Sequence, residues 1–301
     1  MQLKPFELAT PRLRIGGLCN AAEQAPEPVQ DHAHTVIAIH GWLDNAASFE
    51  VVAEHWQTTR AFYAMELPGH GLSEHRPAGS SYQLIENVLD VLAFAEVVSP
   101  DRPIVLVGHS LGGIVSALVA ASAPDRVAQL VLLDSLGPLT DEVSQVLPQL
   151  RKAVRKARLF RPSTMTVYPS LDRMAEVRMG GIGQIERASA ERLVRRGAKT
   201  VPEGYVWSSD PKLMAPSLIR FTEQQVAALF AGIECPVCLI CGDAGYFNDY
   251  DKLQSRLSYI NDLVKHHVAG GHHFHMEGDV AKTVALIEEF LTHEVSSASN
   301  A

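Results

Sequence analysis

Residues 108–113 read Gly108-His109-Ser110-Leu111-Gly112-Gly113, a G-x-S-x-G pattern from which the fold can be predicted. An apolar, strand-like run at residues 104–107 precedes the pattern, and a helix-like segment at residues 114–120 follows it. A serine between a strand and a helix in this way lies on a strained turn that exposes its Oγ, and the glycines leave room for the helix to fold back. We therefore take Ser110 as the candidate nucleophile, against the alternative of a glycine-rich turn with an N-capping serine.

Two further segments lie where a serine mechanism needs them. A buried strand candidate at residues 35–39 ends in His40-Gly41-Trp42, the position of a second oxyanion donor. Near the end of the chain, residues 270–277 supply histidines directly after another strand candidate. The chain order of serine, acid and histidine is the one that this architecture requires.

These motifs resemble those of the α/β-hydrolases, and the resemblance extends from about residue 6 to about residue 292. The segments at residues 40–49, 68–73 and 108–113 are most similar to the serine hydrolase-like proteins of that superfamily. The resemblance implies a mostly parallel central sheet with helices on both faces and a helical lid insertion. It also implies hydrolysis through a serine, and it leaves the natural substrate open.

The rest of the sequence alternates strand and helix signals, as a parallel sheet requires. Strands are predicted at residues 7–19 (a pair), 35–40, 60–66, 103–108, 128–134, 236–242 and 262–268, and helices at residues 46–56, 82–98, 111–122 and 279–293. We expect residues 1–136 and 231–301 to form the core domain. Residues 137–230 hold no convincing strand, so we expect them to form a helical lid over the site.

One segment of the expected lid has a clear helical pattern. Leu147, Leu150 and Val154 form an apolar stripe, and the remainder of the segment is basic, with Arg151, Lys152, Arg155, Lys156, Arg158 and Arg161. A solvated basic face is the preferred interpretation, with attraction of anionic substrates as the alternative.

The general base is chosen by the resemblance. Gly271-His272 followed by His275-Met276-Glu277 is similar to the ending of many α/β-hydrolases, in which the first histidine is catalytic. This implies that His272 takes the serine proton, with His273 as the alternative. His275 is expected to pack or to hydrogen-bond behind the site.

The acid has two candidate positions. Many relatives carry it after the strand at residues 237–241, but this chain has Gly245 where that aspartate would stand, and Asp243 lies nearby. Asp134 instead ends the preceding apolar strand, where a buried carboxylate would need a partner such as imidazolium. We therefore prefer Asp134, with Asp243 as the alternative acid and Asp249 and Asp251 as further ones; a capping role is the structural alternative for Asp134.

The expected function is a carboxylesterase-type hydrolysis of esters or thioesters with small to medium acyl groups. Ser110 would form an acyl-enzyme, and the backbone N–H groups of Trp42 and Leu111 would form the oxyanion hole. A carbon–carbon bond hydrolase or an amidase on the same residues is an alternative, and so is a non-enzymatic ligand receptor that retains the pocket.

Composition agrees with an enzyme that acts on a small molecule. The 301 residues include 26 basic and 34 acidic side chains, and the net charge of −8 disfavours nucleic acid as a partner. No apolar run is long enough to span a membrane, so we expect a cytoplasmic protein without membrane insertion. The four cysteines are expected to be structural, and no cofactor or metal is expected for catalysis. The sequence does not reveal an oligomeric state.

Overall fold

Ten strands are present in the computed structural model, which describes residues 1–20, 34–159, 165–181, 183–246 and 251–292, without the side chains of residues 251 and 252. They are β1 (Lys4–Ala9), β2 (Arg14–Cys19), β3 (Val36–Ile39), β4 (Phe62–Met65), β5 (Ile104–His109), β6 (Val127–Leu133), β7 (Ala198–Val201), β8 (Gly204–Trp207), β9 (Val237–Ala244) and β10 (Leu263–Gly271). Eight of them form one sheet in the order β1-β2-β4-β3-β5-β6-β9-β10. Pairing is antiparallel from β1 to β4 and parallel from β4 to β10.

The described residues also form ten α-helices. They are α1 (Glu50–His55), α2 (Leu84–Val98), α3 (Leu111–Ser122), α4 (Val146–Leu159), α5 (Leu171–Met179), α6 (Arg187–Gly197), α7 (Glu223–Phe230), α8 (Asp251–Ser255), α9 (Phe274–Glu277) and α10 (Val280–Thr292). None of these helices combines the length and apolar character needed to cross a bilayer.

Helices cover both faces of the sheet, and its central strands are therefore buried on both sides. Every residue of β3 and β5 is buried, as is typical of parallel strands between two helical layers. One core cluster joins the sheet to α2, α3 and α7, and a second joins it to α1 and α10. The predicted mostly parallel sheet with helices on both faces is confirmed.

The segment between β6 and β9 is not purely helical. Strands β7 and β8 pair as an antiparallel hairpin, so the prediction that residues 137–230 hold no strand is wrong. Gly204, at φ +141°, takes a backbone conformation at this hairpin that other residues rarely adopt. Helix α7 packs through Val226 and Phe230 into the main core, and we therefore restrict the term insertion to residues 137–222.

A buried ion pair connects the insertion to the core. Glu66, which follows β4, is 0% exposed, and its Oε1 lies 2.5 Å from Arg196 Nε of α6. Its second oxygen accepts from Arg196 Nη2 at 3.0 Å and from the backbone N–H of Leu72 at 2.8 Å. Arg196 Nη2 also donates to the carbonyl of Gly17 in β2. Two parallel bonds of this kind fix both the distance and the orientation of α6 on the core.

We expect Arg196→Ala to lower the free energy of unfolding by about 3–5 kcal/mol, because the substitution leaves the Glu66 carboxylate buried without its countercharge. Urea unfolding at pH 7, followed by circular dichroism, measures the change. The double variant Glu66→Gln with Arg196→Met should recover most of the loss, since it removes both charges.

Arg173→Ala is the matched control. Arg173 forms an exposed pair with Glu176 on α5, and exposed pairs contribute little to stability. A loss in Arg196→Ala no larger than the loss in Arg173→Ala would show that the buried pair does not hold the insertion in place.

Candidate active site

The turn between β5 and α3 holds Ser110 in a strained conformation. Its φ is 51° and its ψ is −115°, outside the regions that non-glycine residues favour. A Cβ on Gly112 would lie 2.0 Å from the carbonyl oxygen of Ile39, and one on Gly108 would lie 2.5 Å from the backbone of Gly113. The two glycines of the G-x-S-x-G pattern are therefore required by the close approach of α3 to β5 and β3.

His272 and Asp134 meet at the same edge of the sheet. The Nδ1 of His272 lies 2.7 Å from Oδ2 of Asp134, and both side chains are buried or nearly so. Because the carboxylate accepts only, Nδ1 carries the proton of this bond, and a neutral ring then keeps a lone pair on Nε2. Ser110 is close in the fold, since its backbone N–H donates to Leu133, the residue before Asp134.

The alternative acid lies elsewhere. Asp243 is 65% exposed, and its Oδ1 is 3.8 Å from Nδ1 of His267. Gly245 lies against the preferred acid: a Cβ there would be 2.3 Å from Oδ1 of Asp134. The missing side chain at residue 245 thus leaves the space that the Asp134 carboxylate fills. Asp249 and the side chain of Asp251 lie outside the described residues.

Two residues that the sequence analysis did not single out hold His272 and its partner. The backbone N–H of Tyr246 donates to Oδ2 of Asp134 at 2.8 Å, and its ring stacks on His272 with centroids 4.2 Å apart. His109 Nε2 lies 3.0 Å from the carbonyl oxygen of His272 and donates to it. Tyr246 follows the end of β9 by two residues, and an aromatic residue at this place in the sequence could have indicated a side chain near the base.

The candidate oxyanion donors lie on two fixed backbone segments. Helix α3 begins at Leu111, so its first N–H groups have no acceptor within the helix. Trp42 precedes Leu43, whose φ is +63°. His40 accepts from the N–H of Leu67 through Nε2, so its Nδ1–H donates to the Gly41 carbonyl at 2.7 Å. These bonds hold the loop after β3 in one conformation.

A second buried carboxylate lies under the same loop. Oδ1 of Asp44 accepts from Arg178 Nη2 of α5 at 2.7 Å, and Oδ2 lies 3.5 Å from Nε2 of His273. Burial alone would raise the pKa of Asp44, but the hydrogen bond from His273 and the charge of Arg178 hold it well below its usual range. His273, the alternative base, therefore pairs with Asp44 and not with Asp134.

A cavity of about 170 Å³ lies between the loop after β3 and the insertion. Its wall is largely apolar and comprises Trp42, Leu43, Val177, Arg178, Gly181, Trp207 and Ser209. It is smaller than the roughly 300–1,000 Å³ of sites for drug-sized ligands, so it fits a small group.

Several histidines around the site are fully buried and neutral. Burial, followed by the charges of His275 and its neighbours, lowers the pKa of His109 well below the ordinary value. Burial also lowers the pKa of His275, which packs with its ring 4.1 Å from that of His109. The ring of His70 packs against that of His40 in a tilted arrangement with centroids 4.9 Å apart, and burial together with this neighbour lowers the pKa of His70 to about 3.

Comparisons with known families, sequences and solved structures agree on the fold. A family model described as alpha/beta hydrolase fold matches residues 34–173. A serine hydrolase-like protein of Dictyostelium discoideum is 29% identical over 92% of this chain and 80% of its own length. A pimeloyl-[acyl-carrier protein] methyl ester esterase of Chromobacterium violaceum is 27% identical over 69% of this chain and 74% of its own length. The crystal structure of a hypothetical protein from Pseudomonas aeruginosa is 33% identical, covers 96% of this chain and 99% of its own, and superposes with a TM-score of 0.86.

The buried His70 predicts acid sensitivity. Its pKa falls from 6.5 in the unfolded chain to about 3 in the folded one, so only the unfolded chain binds this proton between those values. The stability that His70 contributes is complete above pH 6.5 and decreases as the pH falls, by up to about 1.4 kcal/mol per pH unit. We expect His70→Gln to reduce the difference in unfolding free energy between pH 7 and pH 5, measured by urea titration.

The exposed His55 at the end of α1 provides the control, and His55→Gln should keep the wild-type pH dependence. An equally steep pH dependence in His70→Gln and wild type would contradict the assignment of a neutral, buried His70.

Proposed function

Because the chain belongs to the α/β-hydrolase family, we propose that it is a serine hydrolase that cleaves carboxylic esters or thioesters through an acyl-enzyme on Ser110. The observation that carries the proposal is the 2.7 Å bond between Nδ1 of His272 and Oδ2 of Asp134 beside the strained turn at Ser110. Such a bond keeps the imidazole in the tautomer that can accept a proton at Nε2.

In the first half of the reaction, Ser110 Oγ attacks the carbonyl carbon while Nε2 of His272 takes the hydroxyl proton. The tetrahedral intermediate then collapses, and the bond to the alcohol or thiol breaks as His272 returns the proton to that leaving group. In the second half, a water molecule loses a proton to His272 and attacks the acyl carbon. Collapse releases the carboxylic acid and restores the Ser110 hydroxyl.

Asp134 stabilises the imidazolium that forms twice in this cycle. Its Oδ2 accepts from both His272 and the Tyr246 backbone, so the carboxylate is oriented before substrate arrives. The N–H groups of Leu111 and Trp42 are proposed to donate to the oxyanion. In comparable sites, each pre-oriented donor of this kind lowers the activation barrier by about 3 kcal/mol.

The proposed substrate is an ester or thioester with a small to medium acyl group. The largely apolar cavity beside Trp42, one of the proposed oxyanion donors, supports this size, because its volume of about 170 Å³ fits a small group. The related esterase from Chromobacterium violaceum is named for cleavage of a methyl ester, which also supports ester chemistry here.

The insertion is proposed to be the lid of this site. Val177, Arg178 and Trp207 belong to it and line the cavity opposite Trp42. The ion pairs of Arg178 with Asp44 and of Arg196 with Glu66 support a position fixed over the carboxyl ends of the strands. Substrate choice would then depend on residues of the insertion, and the chemistry on residues of the core.

The acid assignment gives the most specific prediction of this proposal. Asp134→Asn should lower kcat for p-nitrophenyl acetate by a factor on the order of 10⁴, because an amide favours the wrong imidazole tautomer. Asp243→Asn, an exposed and chemically identical change at the tip of β9, should leave kcat near the wild-type value. Esters of increasing chain length, measured in parallel, should lose kcat/KM once the acyl group outgrows the cavity.

For both variants, the urea concentration at the midpoint of unfolding should lie within about 1 M of the wild-type value. A loss of rate then does not result from a loss of fold. A crippled Asp243→Asn beside a nearly normal Asp134→Asn would overturn the assignment of Asp134 as the acid.

A further inference from the structure

Three buried side chains converge near Ser110, and none of them is the nucleophile, the base or the acid of the proposed hydrolysis. Asp44, His109 and His273 each offer one ligand atom, and these atoms all lie within 4.8 Å of one another. Oδ2 of Asp44 and Nε2 of His273 are 3.5 Å apart. Tetrahedral zinc, with bonds of about 2.0–2.1 Å, keeps its ligand atoms about 3.3 Å apart, so this pair is nearly at coordination spacing once the proton that Nε2 donates to Asp44 is carried by Nδ1 instead.

His109 is held in the orientation that metal-binding histidines adopt. A carbonyl oxygen can only accept, so the bond between Nε2 of His109 and the His272 carbonyl places the proton on Nε2. The lone pair of the neutral ring is then on Nδ1. Within the described part of the chain no hydrogen-bond partner reaches this buried Nδ1. Ligating histidines commonly donate their other N–H to a backbone carbonyl in this way.

Asp44 is oriented in a comparable manner. Its Oδ1 is bound by Arg178 at 2.7 Å, which leaves Oδ2 directed toward His273. A ligating carboxylate is usually hydrogen-bonded through its other oxygen. The carboxylate also supplies negative charge for a divalent cation, which two neutral imidazoles do not.

Gly41 leaves space between the donors. A Cβ on Gly41 would lie 3.0 Å from Nδ1 of His109 and 3.2 Å from Oδ2 of Asp44. The two donor atoms therefore face the same space beside a residue that has no side chain. Any larger residue would place a methyl group against both of them.

We propose that Asp44, His109 and His273 form a binding site for a divalent transition-metal ion such as Zn²⁺. Two imidazoles and one carboxylate are a donor set that zinc accepts, and a water molecule would complete the coordination. The site is distinct from Ser110, His272 and Asp134, none of which is a ligand.

Occupancy of this site inhibits hydrolysis. The inhibition rests on the proposed function, whereas metal binding does not. The ligand atoms lie within 4.8 Å of one another and must draw together around a zinc ion, and one of them belongs to His109, which directly precedes Ser110 and donates to the His272 carbonyl. Metal binding therefore displaces both the nucleophile and the base. The serine mechanism itself requires no metal, so the chelated enzyme is fully active.

Titration with Co²⁺ tests the site without reference to activity. The chain of residues 1–301, freed of metal with EDTA and dialysed, should develop visible d–d absorption on addition of Co²⁺ that saturates at one equivalent and disappears when Zn²⁺ is added. His273→Gln and Asp44→Asn should each weaken Co²⁺ binding at least tenfold. The control is His267→Gln, which removes one member of an exposed His–Asp pair with Asp243 and should bind Co²⁺ as wild type does.

A second measurement uses the wild-type protein alone and does not depend on whether the variants fold. The ¹H NMR spectrum of the Co²⁺ protein should contain two hyperfine-shifted, exchangeable imidazole N–H signals, one from each histidine ligand. Saturable Co²⁺ absorption that is unchanged in both ligand variants would overturn the proposal, as would a spectrum without such signals.

Hydrolysis of p-nitrophenyl acetate separates the two proposals. Zn²⁺ should inhibit wild type at the concentration that displaces Co²⁺, and His267→Gln should be inhibited equally. Saturable Co²⁺ binding by a protein that hydrolyses no ester would support the metal site and contradict the proposed hydrolase. An active enzyme that binds no Co²⁺ would support the hydrolase and contradict the metal site.

Discussion

The close approach of α3 to the central strands constrains the rest of the site. Gly112 packs against the backbone of β3 so tightly that a Cβ would lie 2.0 Å from a carbonyl oxygen. This contact forces Ser110 into its strained turn. Within the described residues, the non-glycine residues with positive φ are Leu43, Ser110 and Asp134, which follow the neighbouring strands β3, β5 and β6. Backbone strain is therefore concentrated where the candidate nucleophile, acid and oxyanion loop lie.

Buried acids at this edge are the second organising feature. Asp134 is compensated by His272 and the Tyr246 backbone, Asp44 by Arg178, and Glu66 by Arg196. Two of these four partners, Arg178 and Arg196, come from the insertion. A buried carboxylate without its partner is costly, so the same charges that shape the core surface also determine where the insertion can dock. The arrangement connects substrate-facing residues of the insertion to the backbone loops of the site.

The features that could be predicted from the sequence, namely the strands of the main sheet, the serine turn and the acid, each have a local sequence signal. The strands are short apolar runs bounded by turn residues, and the G-x-S-x-G pattern identified the turn at Ser110. The placement of Asp134 at the end of an apolar strand led to the side chain that contacts His272. The hairpin β7–β8 was missed because its strands are partly exposed and lack the continuous apolar run of the equally short β3 and β4, although Pro202-Glu203 between them is a turn signal.

Contacts between distant residues could not be predicted in the same way. Arg178 and Arg196 lie in helices that carry several exposed arginines, and nothing in their local pattern separates the two that reach buried acids. The pairing of His273 with Asp44 likewise depends on two loops that meet only in the folded chain. Such pairs can be assigned only from the tertiary structure, because no local sequence motif relates the two residues of a pair.

The central claim is that Ser110 is an activated nucleophile, and peptide mass spectrometry after labelling with a fluorophosphonate tests it most directly. We expect one phosphonyl adduct, located on Ser110, that is absent from Ser110→Ala. The adduct should remain in Ser135→Ala, which alters the neighbouring serine whose Oγ donates to the Ser110 carbonyl. An adduct at another residue, or a wild-type protein that takes up no label, would contradict this claim.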